Sequence, residues 1–392
     1  MSSLGRALTL VHVGEVTTRA ELTRRLGLTR AAVGAILAEL SSAGLVAVDR
    51  RPATASVGRP SHRIAAHPDG PAVLAAQLHV DTVTVAAVGL GGKVHALVDT
   101  ALAAPSDPDA ALDSIADLAA AQAGDLDRPC LGLGMAVPSA IDDRSGAALA
   151  AHHLGWPAVT PVRRPLADRL AARGLPLPVS VGNDANLAAL AEHRHGSGRG
   201  ARHLLYVTTG QQGVGGGLLV DGRLHTGSSG YALEVGHLTV QPNGRLCACG
   251  NRGCLDAEAD ASALLAAAGQ PAATGAAAYR EALRLLPLAP ADAAVAAAVR
   301  QVVEALGTGL ASLINVLNPD RVVLGGLHAE LLGADSARLT EVIAARSFLG
   351  AGGRVPVTAA RLDRAVLLGA AELALEPFLR DPRRRPKFSS RR

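Results

Sequence analysis

The chain has 392 residues, 49% apolar and 18% charged, which suits a globular protein with core enough for two or three domains and argues against disorder. It opens without a basic-then-apolar leader and shows no apolar run near ~18 residues, which argues against secretion and membrane spanning and for a cytoplasmic protein. The formal charge is +4 overall, with +4 on residues 1–70 and +6 on the tail 383–392, which leaves −6 on residues 71–382; a basic head on an acidic body is the pattern of a domain that meets a polyanion.

Leu4, Leu8 and Val11 recur at helical spacing and predict a first amphipathic helix ended by Gly14. Thr18-Arg19-Ala20-Glu21 is a capping box, and the short helix after it turns Leu22 and Leu26 inward. Gly27 supplies a tight turn. Thr29 then caps a third helix with Val33, Ile36, Leu37 and Leu40 as its buried stripe. Leu45–Val48 and Arg63–Ala65 read as two strands around a polar loop, a wing. Together these make residues 1–66 a winged helix-turn-helix whose third helix would enter the major groove of double-stranded DNA. Its exposed face offers Arg30, Ala31, Gly34 and Ala35, with Arg30 the side chain best able to reach a base or phosphate, and the capping Thr29 joins the DNA-contact candidates. The wing carries Arg50, Arg51 and Arg59, and an Arg on a tight turn suits a narrow minor groove. A three-helix protein-interaction module is the competing interpretation; turn spacing, wing and local charge together favour DNA.

Residues 67–71 read as a linker, and 72–380 as an α/β body in two lobes. Val73–Leu78, Val83–Leu90 and Lys93–Thr100 are predicted strands, Ala110–Ala123 a helix, and Cys130–Val137 and Val179–Gly182 buried strands. Leu204–Thr208 and Leu218–Val220 form a further pair around a glycine loop. Val302–Leu317 is a helix, and Arg321–Leu324 a strand ending at Gly325-Gly326. The Ala-rich stretch 257–300 is helical, and the basic tail 381–392 is expected to be disordered.

Three of the chain's four cysteines crowd into Cys247-Ala248-Cys249-Gly250-Asn251-Arg252-Gly253-Cys254. His237 precedes them across a Gln241-Pro242-Asn243-Gly244 turn that would bring it back to the thiols. One imidazole and three thiolates complete a tetrahedral zinc shell with no open position, so the expected Zn2+ is structural, not hydrolytic. Cys130, alone in an apolar strand, reads as core.

Glu234-Val235-Gly236-His237 followed by that cysteine cluster resembles the signature of the ROK family (repressors, open reading frames, kinases), and the resemblance spans essentially the whole chain. Thr18-Arg19-Ala20-Glu21-Leu22, Gly27-Leu28-Thr29-Arg30 and Gly58-Arg59-Pro60 resemble the family's repressors for N-acetylglucosamine, xylose and related sugars. The resemblance implies an actin/hexokinase-like body holding a sugar or sugar derivative. Asp184, within Gly182-Asn183-Asp184-Ala185-Asn186, matches the general base of the family's kinases. Asn183, Glu234 and His237 match residues that bond sugar hydroxyls or link that site to zinc, and His153 and Asp256 complete the expected sugar-binding set.

The departures from the family's kinases concern phosphate binding. Where a ROK kinase has an Asp followed by two glycines and a Thr, this chain has His79-Val80-Asp81-Thr82, with no glycine to let backbone approach phosphates. Gln211-Gln212 also enlarge the second glycine loop, Gly210–Gly217. No kinase activity and no ATP are expected, and Asp184 would be a vestigial base. The expected function is therefore a sugar-controlled transcription regulator, a repressor by the resemblance. It would act as a homodimer or homotetramer on operator DNA of carbohydrate-metabolism genes, without membrane contact. The alternatives are an ATP-dependent sugar kinase carrying a DNA-binding head, and a constitutive regulator with a structural body.

Overall fold

The computed structural model describes residues 1–49, 62–211, 213–348 and 355–383. The chain divides into two compact units, Met1–Asp184 with Val366–Arg392 and Ala185–Ala365.

The first unit begins with three helices, α1 (Ser3–His12), α2 (Arg19–Leu26) and α3 (Arg30–Ser42). Each has the start signal its sequence carries. Ser2 Oγ accepts from Gly5 N–H at 3.1 Å, and Thr29 Oγ1 accepts from Ala32 N–H at 3.2 Å. At α2 the capping box closes both ways, with Thr18 Oγ1 accepting from Glu21 N–H and Glu21 Oε2 from Thr18 N–H. Gly27 ends α2 at φ 67°, a left-handed value that costs glycine nothing. Leu4, Leu8, Val11, Leu22, Leu26, Val33, Leu37 and Leu40 bury together, whereas Ile36 is only half-buried. Strands β1 (Val46–Asp49) and β2 (Arg63–Ala66) pair antiparallel, Val46 opposite Ala66 and Asp49 opposite Arg63. The expected linker is tied down at both faces: His67 N–H donates to Leu45 O at 3.0 Å, and the Arg128 guanidinium donates to Pro68 O at 2.8 Å.

Beyond it lies a five-stranded sheet of β3 (Ala72–Leu78), β4 (Thr82–Gly89), β5 (Val94–Ala101), β6 (Cys130–Val137) and β9 (Val179–Asn183), ordered β5-β4-β3-β6-β9. The first three strands are antiparallel neighbours; β6 and β9 join in parallel. Helices α4 (Pro108–Gly124) and α5 (Arg163–Ala172) and a small pair, β7 (Ala147–Ala148) with β8 (Thr160–Pro161), complete this region. Leu74, Leu112, Ile115, Leu133, Met135 and Leu166 centre its core.

Helix α6 (Asp184–His195) carries the chain into the second unit. There β10 (His203–Gly210), β11 (Gly213–Val220), β12 (Arg223–Leu224), β13 (Arg321–Gly326) and β14 (Val357–Ala359) form a sheet ordered β12-β11-β10-β13-β14. Taken in chain order, both sheets run third-second-first-fourth-fifth, so each unit repeats one topology and the β3–β4 and β10–β11 hairpins are equivalents. The expected glycine loop is largely strand: Gly213 to Gly217 pair residue by residue with β10.

The Ala-rich stretch folds as α7 (Leu255–Ala259), α8 (Ala261–Ala267) and α9 (Gly275–Leu285), followed by α10 (Ala293–Leu317), α11 (Leu327–Ala334) and α12 (Ser336–Arg346). By length and composition α10 could cross a membrane, contrary to the sequence expectation of no such run. Its Val295, Val299, Val302, Val303, Leu306, Leu310 and Ile314 instead line the second unit's core, which accounts for the apolar run without a bilayer.

Helix α13 (Ala365–Arg380) brings the chain back to the first unit. It lies directly on β6, where an added Cβ at Gly134 would stand 1.8 Å from Ala370 O.

Candidate functional site

In the second unit, His237 ends a short 3-10 turn, Val235–His237, and the three cysteines follow on a compact loop. Gly244 N–H donates to Gln241 O at 2.9 Å, and Asn243 takes φ 65°, closing the expected turn. Gly253 has φ 70°, and a Cβ there would lie 1.6 Å from Gln241 O, so only glycine fits this crossing. Its backbone then ties the two arms: Val240 N–H donates to Gly253 O at 2.7 Å, and Gly253 N–H to Arg245 O at 2.9 Å.

The fold brings together all four sequence-predicted metal ligands. Their donor atoms lie within 4.8 Å of one another, with His237 Nδ1 3.8 Å from Cys247 Sγ and Cys249 Sγ 3.7 Å from Cys254 Sγ. A cation at about 2.3 Å from each sulfur sets tetrahedral edges of about 3.8 Å, so the set fits a metal, and 3.7 Å is far too long for a disulfide. Cys247 and Cys254 are buried; His237 and Cys249 are exposed. Burial and the neighbouring thiols push the Cys254 thiol up to about 12. The backbone N–H of Asn251 pulls Cys249 the other way. Burial likewise raises Cys130, to about 11; the residue is half-buried and packs against the edge of the first unit's core.

Asp256 holds this loop to the sheet. Its Oδ1 accepts from Val214 N–H at 2.7 Å, and its Oδ2 lies 3.9 Å from Cys247 Sγ. The expected sugar contact at Asp256 therefore shares its carboxylate with backbone and a metal-ligand candidate. Glu234 opens the 3-10 turn; crowding raises its carboxyl above the usual range, and the nearby His237 opposes that rise. The β11 glycines admit these neighbours. A Cβ at Gly216 would meet Val235 Cγ2 at 2.7 Å, and one at Gly217 would meet Ala189 Cβ at 2.6 Å. Close packing alone therefore requires glycine at these two positions.

In the first unit, Asn183 ends β9 and Asp184 begins α6. Asn183 Nδ2 donates to Ser139 O and to Asp184 Oδ1, both at 3.2 Å. Ser139 Oγ in turn accepts from Ala150 N–H at 3.1 Å, fixing the loop after β6. His153 is exposed, in a short 3-10 turn. The β3–β4 turn closes with His79 N–H donating to Thr82 O at 2.9 Å. None of residues 79–81 has a positive φ. Burial lowers the His79 imidazole below its ordinary value, while Asp99 and Asp81 pull it up. The turn, His79-Val80-Asp81-Thr82, is built without a glycine.

Thr29 and Arg30 are exposed at the start of α3. Arg50, Arg51 and Arg59 lie outside the described residues. Sequence reasoning missed Arg19: its guanidinium donates to Arg30 O at 2.8 Å and occupies the space a Cβ on Gly34 would take, 2.7 Å away. Gly34 is the one signal that could have pointed to it.

The ROK family description matches residues 77–377. The xylose repressor of Caldicellulosiruptor bescii is 28% identical over 382 residues, which cover 94% of each chain. A crystal structure of a ROK family transcriptional regulator, homologue of the E. coli MLC protein, superposes with a TM-score of 0.75 at 23% identity, over 96% of both chains. That likeness establishes the fold. The ROK family glucokinase of Streptomyces griseus, solved with glucose and AMPPNP, has a TM-score of 0.64 at 27% identity and covers 78% of this chain and 99% of its own. The repressor match, at 94% of the chain, reaches into residues 1–66, whereas the kinase match covers less than residues 67–392 alone would require.

Proposed function

The chain belongs to the ROK family, and we propose that it is a sugar-responsive, DNA-binding transcription regulator whose kinase chemistry is lost. One observation supports this reading most: the spacing of α2, the Gly27 turn and α3 beside the antiparallel β1–β2 pair, which a winged helix-turn-helix requires, on a chain 28% identical to a xylose repressor over 94% of its length. The N-terminus of α3 would enter the major groove with Thr29 and Arg30, and Arg50, Arg51 and Arg59 of the wing would reach the adjacent groove or backbone. A homodimeric or homotetrameric body would set two heads at a fixed spacing on a palindromic operator.

The effector is a sugar or sugar derivative. Asn183, Asp184, His153, Glu234, His237 and Asp256 offer the amide, acid and imidazole groups that suit a polyol. His237, Cys247, Cys249 and Cys254 would hold one Zn2+ in a closed shell, whose chemistry is to offset two of the three thiolate charges and fix the loop bearing Glu234. Metal analysis should return about one zinc per chain, lost on Cys249→Ser. Loss of phosphoryl transfer is supported by the glycine-free turn at His79.

The test is capture of sheared DNA from the source genome by the purified protein, with and without a panel of sugars including xylose and glucose. A discrete palindromic site released or tightened by one sugar is the expected result. Retention of random, salt-sensitive DNA alone would overturn specific recognition. ADP release with a hexose, abolished by Asp184→Asn, would overturn the loss of kinase activity.

A further inference from the structure

Helix α13 and the residues just after it touch the head at α1 and α3. Near its C-terminus, a Cβ added to Gly5 of α1 would lie 2.7 Å from Leu379 O and 2.6 Å from Arg380 O, so α1 backbone rests against the last turn. Just beyond it, Arg383 donates two hydrogen bonds to the Glu39 carboxylate of α3, at 2.8 and 3.1 Å. In its middle, Glu372 Oε1 lies 2.8 Å from His12 Nε2, with both side chains fully buried. His12 is the last residue of α1.

His12 also reaches the first sheet. Gly91 N–H, in the β4–β5 turn at φ 80°, donates to His12 Nδ1 at 2.9 Å. That bond fixes the tautomer: Nδ1 must offer its lone pair, so the proton sits on Nε2 and is donated to Glu372. One imidazole thus bonds the head to α13 and to the sheet at once. Breaking either bond costs a buried N–H or a buried carboxylate one hydrogen bond, which makes the arrangement selective for one orientation of α1.

We propose that His12 and Glu372 are a positioning pair that sets the angle of the DNA-binding head on α13. The proposal rests on the DNA-binding reading of the head. Helix α13 begins at Ala365, where the chain returns from the second unit. It is one of the two places where the chain passes between the units, and the buried pair ties it to α1. The pair would therefore govern recognition of a two-half-site operator, which depends on head orientation, and not of a single half-site.

Hydrogen exchange on the full chain tests the coupling. His12→Leu is expected to speed exchange by about tenfold or more in α1 and in residues 370–380, and to leave β10–β11 unchanged. His12→Gln can offer an N–H to Glu372 and an oxygen to Gly91, and should stay near wild type. If His12→Leu does not fold, Glu372→Gln, which keeps the shape and weakens the acceptor, should move the same segments in the same direction. Wild-type protection in the variant, or equal loosening of β10–β11, overturns the proposal. On DNA recovered from genomic capture, His12→Leu should weaken the intact site about tenfold and leave an isolated half-site unchanged; undiminished intact-site affinity also overturns it. A wild-type chain that retains no DNA would sink the DNA-binding reading instead, and the exchange data would still decide the coupling.

Discussion

The Asp256 carboxylate spans the 2.7 Å hydrogen bond from Val214 N–H and the 3.9 Å approach to Cys247 Sγ, so one side chain joins the β10–β11 hairpin to the cysteine loop. Asp256→Ala should lower metal affinity by less than about tenfold, because losing the Val214 tie loosens the loop while removing a charge that opposes the Cys247 thiolate. Asp256→Asn, which can still accept from Val214, should lose less. Competition with a chromogenic chelator measures both; equal affinity in wild type and Asp256→Ala would refute the link.

Gly134 lets α13 lie on β6. With Ala370 O 1.8 Å from the added Cβ, Gly134→Ala must move helix or strand backbone and should cost about 1–3 kcal/mol. Urea unfolding of the full chain reads this. An unchanged midpoint would mean that the close contact is absent in solution.

Glu192 is fully buried on α6 and accepts three backbone N–H groups, Ser197 at 2.7 Å, Leu362 at 2.8 Å and Arg361 at 2.9 Å. Glu192→Leu should cost about 3 kcal/mol or more, because three buried donors lose their acceptor. Gln keeps one oxygen and should fall between. The expected order in thermal melting is wild type, Gln, Leu; a Leu variant as stable as wild type would contradict it.

Burial lowers His328 from 6.5 to about 4, against the pull of Ala259 O, its hydrogen-bond acceptor at 3.0 Å. The unfolded chain binds this proton near pH 6.5 and the folded chain near pH 4, so between these values the unfolded state holds more protons and stability falls as pH is lowered. The loss from this residue should reach about 3 kcal/mol at pH 4 and vanish above pH 7. His328→Gln, which can still donate to Ala259 O, should flatten the pH 4–7 stability slope; an identical slope would show that His328 is not its source.

Local chemistry made the head and the metal loop legible. The Thr18–Glu21 box, Gly27 and Thr29 act within one or two turns of chain, and the Cys247–Cys254 spacing carries its own geometry. The strands flanking Gly91 were equally plain, being rich in Val and Thr and bounded by the Gly91-Gly92 turn. What escaped depends on distant neighbours. The glycines of β11 looked like a loop because nothing nearby in sequence shows Ala189 or Val235 pressing on them. Helix α10 starts nine residues before its expected Val302 because alanines carry little periodic signal. Helix α13 and the role of His12 were both missed: a single histidine ending an apolar helix gives no hint of a glutamate 360 positions away. The repeated strand order of the two sheets was likewise invisible, since it is a property of connection and not of residue type.

Because residues 185–365 enter and leave the first unit between β9 and α13, the order of synthesis differs from the order of completion. The head and the first sheet leave the ribosome early, yet Gly134 and His12 receive their α13 partners only after the whole second unit has been made. During that interval the β6 face is bare apolar surface, and the nascent chain is at its most aggregation-prone. The second unit, an unbroken stretch of chain, can close its own core first; the unit with the three N-terminal helices is the last to be finished.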